Sequence, residues 1–475
     1  MSYRMVIVPG VGHRDRLSVV QAYRFALDLS PAQERAVLGH VGAARMAYNW
    51  ALARVKAVLD QRAAERSYGI PEDELTPAIG WSLPALRRGW NAAKGEVAPW
   101  WRDYSKEAYN TGLDALARGL NSWADSRSGK RAGRRVGFPR FKSRRRSTPS
   151  VRFTTGTIRV DPDRKHVVLP RLGRLRLHES ARKLARRLAA GTARILSATV
   201  RRDGHRWYVS FTCQVERARR TPTCPDATVG VDLGVRRLAA LSTGEPVPNP
   251  QHLDAALRKI RRISRGLSRK VGPDRRSRRD ASKRWQRARG RLGRVHARVA
   301  NLRRDGLHKL TTRLAATYGT IVVEDLNVAG MLRNRRLSRR IADAGFAEIR
   351  RQLVYKTQWY GGRLVVADRW YPSSKTCSGC GAVRTKLALS ERTFTCTTCG
   401  LVADRDVNAA RNLAALAAAV AGSGPETLNG RRADCKTPPA GPVAVKRQPG
   451  TTSVGKTGTV PPQGRTSDHE LTPAS

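Results

Sequence analysis

Four cysteines close together constrain this chain more than any other feature. Cys377 and Cys380 form one C-x2-C pair, Cys396 and Cys399 form a second, and fifteen residues separate the pairs. That is the spacing of two knuckles closing on one tetrahedral Zn2+. Each pair runs straight into glycine, Gly381 and Gly400, which lets the backbone turn tightly so that its amides face the thiolates. Two disulfides, or cysteines scattered by chance, give no reason for doubled pairs at this spacing. The other three cysteines, Cys213, Cys224 and Cys435, have no partner motif, and the set as a whole suits a reducing compartment. Four thiolates leave no open position for a water, so this zinc would be structural and the chemistry must lie elsewhere.

The run from Asp404 to Asn412 follows directly and opens a helix rich in alanine and leucine from Val407 onward. Asp406, at or near the helix N-terminus, can be held by helix amides and still face a metal, or it can simply cap the helix. Partner carboxylates decide between the two. One stands in Val229-Gly230-Val231-Asp232-Leu233-Gly234-Val235, a short apolar strand bearing a single aspartate, which residues 238–241 continue as a hairpin. Another stands in Ile321-Val322-Val323-Glu324-Asp325-Leu326-Asn327, an apolar strand that finishes in acid. A carboxylate there is costly unless it pairs or binds a cation, which makes Glu324 the second candidate. Hard oxygen ligands of this kind suit Mg2+ or Mn2+, and no histidine accompanies them to favour zinc. Two such ions about 4 Å apart would activate a water and stabilise the leaving oxygen in an in-line attack on a phosphodiester, leaving a 3'-hydroxyl.

Charge says what the chain meets. Lys and Arg number 91 against 37 Asp and Glu, a formal charge of +54, which repels itself unless a polyanion neutralises it. Nucleic acid is the expected partner, and the excess of arginine favours phosphate forks and base stacking. Gly129–Arg146 interleaves the basic residues Arg134, Arg135, Arg140 and Lys142 with Phe138 and Phe141. Such a loop can hold phosphates while stacking on exposed bases, or it can be a solvated loop whose phenylalanines tuck into the core. The helices expected from about Leu253 to Leu302 are basic on most faces, as a nucleic-acid contact or a solvated hairpin would be.

The 475 residues suffice for about three domains. Tyr23–Leu29 reads as a strand, and Ser30-Pro31-Ala32-Gln33 opens a helix with a capping box. Further helices over 83–88 and 105–124 predict a helical domain inserted after that strand. Short segments over 150–153, 158–160, 166–169, 175–177, 195–201 and 207–215 predict a small β-barrel. A helix closed by Gly319, one over 342–360 and a strand over 364–368 complete an α/β rhythm that the cysteine ribbon interrupts. No run of eighteen apolar residues exists and Met1–Gly10 is too short for a signal peptide, so a cytoplasmic, nucleoid-associated protein is expected.

At these residues the chain resembles the TnpB family, transposon-encoded RNA-guided nucleases related to type V CRISPR effectors. The resemblance rests on residues 230–234, 323–327, 371–380, 396–400 and 404–412, with Gly137-Phe138-Pro139-Arg140-Phe141 and Tyr48-Asn49-Trp50-Ala51-Leu52 beside them, and spans roughly 22 to 420. It implies a multidomain α/β fold: an RNase H-like RuvC nuclease domain with an inserted four-Cys zinc ribbon, preceded by a β-barrel wedge domain carrying a helical recognition insert. The boundaries are then a leader over 1–20, the wedge over 21–30 and 140–220, and the recognition insert over 31–139. The RuvC-like domain takes 225–370 and 401–420, the ribbon 371–400 and a disordered tail 421–475. By the same resemblance Asp232, Glu324 and Asp406 are the metal-holding catalytic acids, and Cys377, Cys380, Cys396 and Cys399 hold zinc. Asp406 is preferred to Asp404 because the family's aspartate stands two residues before the Asn-Ala-Ala step, here at Asn408. The activity implied is cleavage of double-stranded DNA beside a short transposon-adjacent motif, directed by a guide RNA from the transposon end, with one protein monomer per guide. A cleavage-inactive RNA-guided binder and a transposase acting directly in strand transfer are the other readings. All three acids are intact, and no tyrosine-with-histidine motif stands out. Gly306 departs from the pattern, where a large apolar residue is expected.

Overall fold

The computed structural model describes residues 6–8 and 16–422, apart from 145, 146, 275, 278 and 389. The tail read from the sequence as disordered therefore lies almost wholly outside the described residues. Val6–Val8 (β1) and Arg16–Asp28 (β2) come first, followed by helices Pro31–Ser67 (α1), Leu83–Val97 (α2) and Lys106–Arg127 (α3). The capping box is present: Ser30 Oγ accepts from the Gln33 amide at 3.2 Å and the Gln33 side chain accepts from the Ser30 amide at 3.0 Å. Ser150–Phe153 (β3), Arg159–Val160 (β4), His166–Leu169 (β5) and Gly173–Leu177 (β6) follow, then a helix the sequence did not announce, Arg182–Ala189 (α4). Ala193–Asp203 (β7) and Arg206–Ala218 (β8) finish this half.

These strands form a seven-stranded antiparallel sheet in the order β3-β7-β8-β2-β6-β5-β4. Alternation along β8 buries Trp207, Val209, Phe211, Cys213 and Val215, so the unpaired Cys213 is a core residue, its thiol pushed up to about 11 by burial. The strand expected from Tyr23 begins at Arg16, because β2 pairs with β8 from Arg16 to Leu27. The leader is corrected at two places: residues 16–20 belong to β2, and β1 lies antiparallel on a different sheet.

The second half begins with Cys224–Leu233 (β9), Arg237–Leu241 (β10) and Pro246–Pro248 (β11). The long helices His252–Ser268 (α5) and Lys283–Thr317 (α6) lead to Tyr318–Glu324 (β12). The expected stop at Gly319 thus comes two residues early, and Gly306 within α6 faces open space. After Val328–Met331 (α7), the single helix expected over 342–360 is two, Ser338–Ala344 (α8) and Phe346–Trp359 (α9), broken at Gly345. Arg363–Ala367 (β13), the ribbon strands Thr393–Thr395 (β14) and Val402–Asp404 (β15), and Arg405–Gly422 (α10) complete it.

The six-stranded sheet runs β1-β13-β12-β9-β10-β11, with β9, β12 and β13 mutually parallel. Its two faces read directly from the alternation of side chains. Val229, Val231, Ile321, Val323, Leu364 and Val366 bury against Leu307, Leu310 and Leu314 of α6 and Phe346, Ile349 and Leu353 of α9. The alternate residues Val322, Val365 and Ala367 pack on Leu413 and Ala417 of α10. Gly230 lies on this second face and is where α10 crosses: a Cβ there would sit 1.9 Å from the Ala410 carbonyl oxygen and 2.7 Å from the Ala414 amide nitrogen. Backbone meets backbone, so neither side can yield by a rotamer change. Gly230→Ala is expected to cost at least the ~1–3 kcal/mol of an overpacked core, read as a lowered Tm together with loss of activity, because the displaced helix carries Asp406.

Candidate active site

Parallel pairing sets two of the three predicted acids side by side. Val231 is in register with Val323, so the next residues, Asp232 and Glu324, are neighbours at the C-terminal ends of β9 and β12. They point to the α10 face, opposite to Val231 and Val323. Asp406 lies in the first turn of α10, which crosses that face. All three are half-buried. Burial, then the Glu324 and Asp406 charges, push the Asp232 carboxyl well above the usual carboxylate range, with Arg405 opposing. Burial raises Glu324 as well, against a bond donated by the Ser373 hydroxyl.

The neighbouring acids are already engaged. Asp404, not Asp406, caps α10: its Oδ1 accepts from the amides of Asp406 at 3.0 Å and Val407 at 3.2 Å, and its Oδ2 takes Arg237 Nη1 at 2.9 Å. Asp325 is held by Arg350 and Arg369. Asp232 and Asp406 make no side-chain hydrogen bond or ion pair among the described residues.

Sulfur geometry fits a single metal. Cys377 and Cys399 lie 3.6 Å apart sulfur to sulfur, as do Cys380 and Cys396, against about 3.8 Å for the edge of a tetrahedron with ~2.3 Å Zn–S bonds. A disulfide would need ~2.05 Å. Gly381 and Gly400 adopt φ of +77° and +69°, the turn that returns each knuckle to its first cysteine. Amides of Cys399 and Thr398 lower the Cys396 thiol. Among the described residues, the sets of three or more Cys, His, Asp or Glu whose ligand atoms all lie within 4.8 Å are these cysteines and Asp161, Asp163 and His166. The latter already holds a cation, since Arg174 donates to Asp161 and Asp163 at 2.7 Å each. Asp232, Glu324 and Asp406 do not all meet that limit together.

Two asparagines that sequence reasoning left without a role join the ribbon to the acids. Buried Asn408 donates to the Thr376 carbonyl at 2.7 Å and accepts from the Ser378 amide at 2.9 Å. Asn412, one turn on, donates to the carbonyls of Ser373 at 2.8 Å and Thr376 at 2.6 Å. The signal was their spacing of four on a helix rich in alanine and leucine, which puts two amides on one buried stripe.

Comparison with known proteins bears on what this site belongs to. A family model described as "Probable transposase" matches residues 210–335, one described as "Cas12f1-like, TNB domain" matches 346–413, and one described as "Helix-turn-helix domain" matches 19–63. A Mycobacterium tuberculosis protein named as a candidate RNA-guided DNA endonuclease is 44% identical over 83% of this chain and 86% of its own length. An Escherichia coli K12 protein named in the same way, InsQ, is 32% identical over 87% of this chain and 96% of its own length, and a mimivirus "TnpB-like protein" is 32% identical over 28% of this chain and 26% of its own. The chain belongs to the TnpB family. In this TnpB chain the segment matched as a helix-turn-helix is most of β2 and most of α1.

The basic loop of this TnpB chain turns one phenylalanine inward and leaves the other in solvent. Arg134, Arg135, Arg140 and Phe141 are exposed, whereas Phe138 packs edge-on against Trp123 with ring centroids 5.0 Å apart. Lys142 is pinned: its ammonium sits 3.8 Å from the Tyr48 ring centroid, and its backbone exchanges two hydrogen bonds with Asn49. It borders a cleft of about 930 Å³ with Arg45, Arg118, Arg144 and Arg152. Between residues 255 and 304 stand twenty Lys and Arg against two Asp, which places the cationic surface on α5 and α6. Lys259, Arg262, Lys270, Arg291, Arg294 and Arg298 line a cleft of about 660 Å³ between those helices, with no acid on its wall. No helix among the described residues is long and apolar enough to cross a membrane.

Proposed function

We propose that this chain is an RNA-guided, metal-dependent DNA endonuclease that cuts target DNA beside a short transposon-adjacent motif. The observation that carries the proposal is the convergence of Asp232, Glu324 and Asp406 on one face of the parallel sheet, with the Asp232 and Asp406 carboxylates making no hydrogen bond or ion pair among the described residues and Asp232 perturbed by the other two acids. Like charges gathered without a counter-charge are unfavourable unless a cation joins them. Carboxylates of this kind suit Mg2+ or Mn2+, and a pair of such ions would be shared among the three.

In this reading the sheet with α10 is an RNase H-like RuvC domain, the seven-stranded sheet is the wedge, and α1–α3 are its recognition insert. Cys377, Cys380, Cys396 and Cys399 hold Zn2+. Asp232, Glu324 and Asp406 would hold Mg2+ or Mn2+, which supply water activation and neutralise the charge that develops on the scissile phosphate. The protein's own part is positional. Strand register fixes Asp232 beside Glu324, Ser373 orients one Glu324 oxygen, and Asp404 holds the helix end so that Asp406 is left free. Hydrolysis breaks the P–O3' bond, with the water oxygen passing to phosphorus and a proton to the departing 3'-oxygen. Arg134, Arg135, Arg140 and Phe141, with the cations of α5 and α6, would contact phosphates and bases, while guide pairing reads sequence.

The test is to sequence the RNA that copurifies, then incubate the complex with Mg2+ and duplex DNA that matches it and carries candidate flanking motifs. The expected result is a cut that needs complementarity, motif and metal together. Bound but uncut DNA would establish a guided binder instead, and joined products a transposase.

A further inference from the structure

Ten tryptophans occur in the chain. Nine are buried, half-buried or, like Trp100 at 41% exposure, packed against other rings. Trp370 is different: it is 81% exposed, and it forms no ring–ring or cation–π pair among the described residues. A tryptophan carries 150–250 Å² of largely apolar surface, so leaving it in water forfeits what burial would contribute. Nothing in the packing around it calls for that residue.

Its backbone is fixed at both ends of a short loop that begins and ends at Glu324. Ala367, the last residue of β13, is paired with Glu324. Trp370 follows three residues later, and Ser373, three residues further, donates its hydroxyl to Glu324. Three residues of chain span at most ~10 Å, so the Trp370 backbone is confined to that distance from Ala367 and from Ser373. The Trp370 amide donates to Asp368 Oδ1 at 2.8 Å, and Arg369 Nη2 donates to Asp325 Oδ2 at 2.8 Å. The Tyr371 hydroxyl donates to the Asn412 carbonyl at 3.3 Å. The loop is thus tied to the sheet on one side and to α10 on the other.

We propose that Trp370 is a stacking platform for an unpaired base of the DNA strand entering the acid site. It is therefore a positioning residue that makes the site take single-stranded DNA in preference to duplex. A rigidly based, bare indole beside a cluster of acids on a chain of charge +54 meets a base more readily than an apolar protein face. The inference rests on the nuclease reading, and its test is chosen so that the two can fail separately.

Binding is read first, in Asp232→Ala protein charged with guide. Target strands carrying 2-aminopurine at successive positions near the cut are expected to show one position whose fluorescence is quenched. Trp370→Ala should lose that quenching and Trp370→Phe should keep part of it. In the cutting protein Trp370→Ala should raise KM by about tenfold or more with kcat little changed, as the loss of one base–aromatic stack implies. Phenylalanine should restore most of it, and an abasic site at the quenched position should cost wild type about as much while costing Trp370→Ala nothing further. Because the side chain is exposed, its removal should leave Tm unchanged. Equal quenching with and without Trp370, or additive losses from the abasic site and the substitution, would overturn the inference even if the enzyme cuts. Trp370-dependent quenching in a wild-type protein that never cuts would sustain it and sink the nuclease reading.

Discussion

Asp232→Ala should leave the chain folded and able to bind guide and target, yet slow strand scission by on the order of 10³-fold or more. The several kcal/mol that a divalent ion lends to phosphoryl transfer, at 1.36 kcal/mol per tenfold, gives that scale. The direction of the stability change separates this effect from misfolding. In metal-free buffer Asp232 is half-buried beside Glu324 and Asp406, and its carboxyl is pushed well up by burial and by those neighbours. Removing it relieves a like-charge contact, so Tm without metal should rise or stay level, while the increase in Tm produced by Mg2+ shrinks. The measurement is a pair of melts, with and without Mg2+, beside a single-turnover cleavage time course. Cleavage within tenfold of wild type would remove Asp232 from the site.

Cys377→Ser, or extraction of the ribbon metal by a chelator, should abolish cleavage without touching an acid. The ribbon contains no ligand of the proposed catalytic ions, but its base is bonded to α10 through Asn408 and Asn412. Structural zinc contributes about 10–16 kcal/mol of apparent binding energy in isolated fingers, more than the small apolar cluster of Cys377, Phe394 and Cys396 can replace. Once the knuckles open, the carbonyls of Ser373 and Thr376 move away from their asparagines and the first turn of α10 is no longer held. A shift of about 1 Å in Asp406 suffices for a ~10²-fold loss. Metal analysis should find one zinc per wild-type chain and none in the variant, with cleavage restored in chelated wild type by Zn2+ and not by Mg2+ alone. Retained cutting in the zinc-free chain would break the link between ribbon and site.

What could be read in the sequence was local. The doubled cysteine pairs, the capping box at Ser30 and the acids at the ends of apolar strands each depend on neighbours within a few residues, and the structure has all of them. What could not be read depends on partners far along the chain. Glu324 and Asp325 are adjacent and chemically alike; Arg350 and Arg369 engage the second and leave the first. Asp404 and Asp406 are separated in the same way by Arg237, 167 residues away. Phe138 and Phe141 sit in one basic loop, and Trp123 with the core beneath it receives the first and not the second. The three residues of β1 are too few to announce a strand, and they become one because the edge of β13 is there to pair with.

Because α10 is the last described element of the body and carries Asp406, the third of the proposed metal-holding acids, the order of synthesis has a consequence. A nascent chain that has passed the ribosome through β12 carries Asp232 and Glu324, but the proposed cluster of acids is complete only once residues 405–422 emerge and α10 crosses the sheet. A prematurely terminated product ending before residue 405 would keep the cationic hairpin and the basic loop while lacking the means to cut.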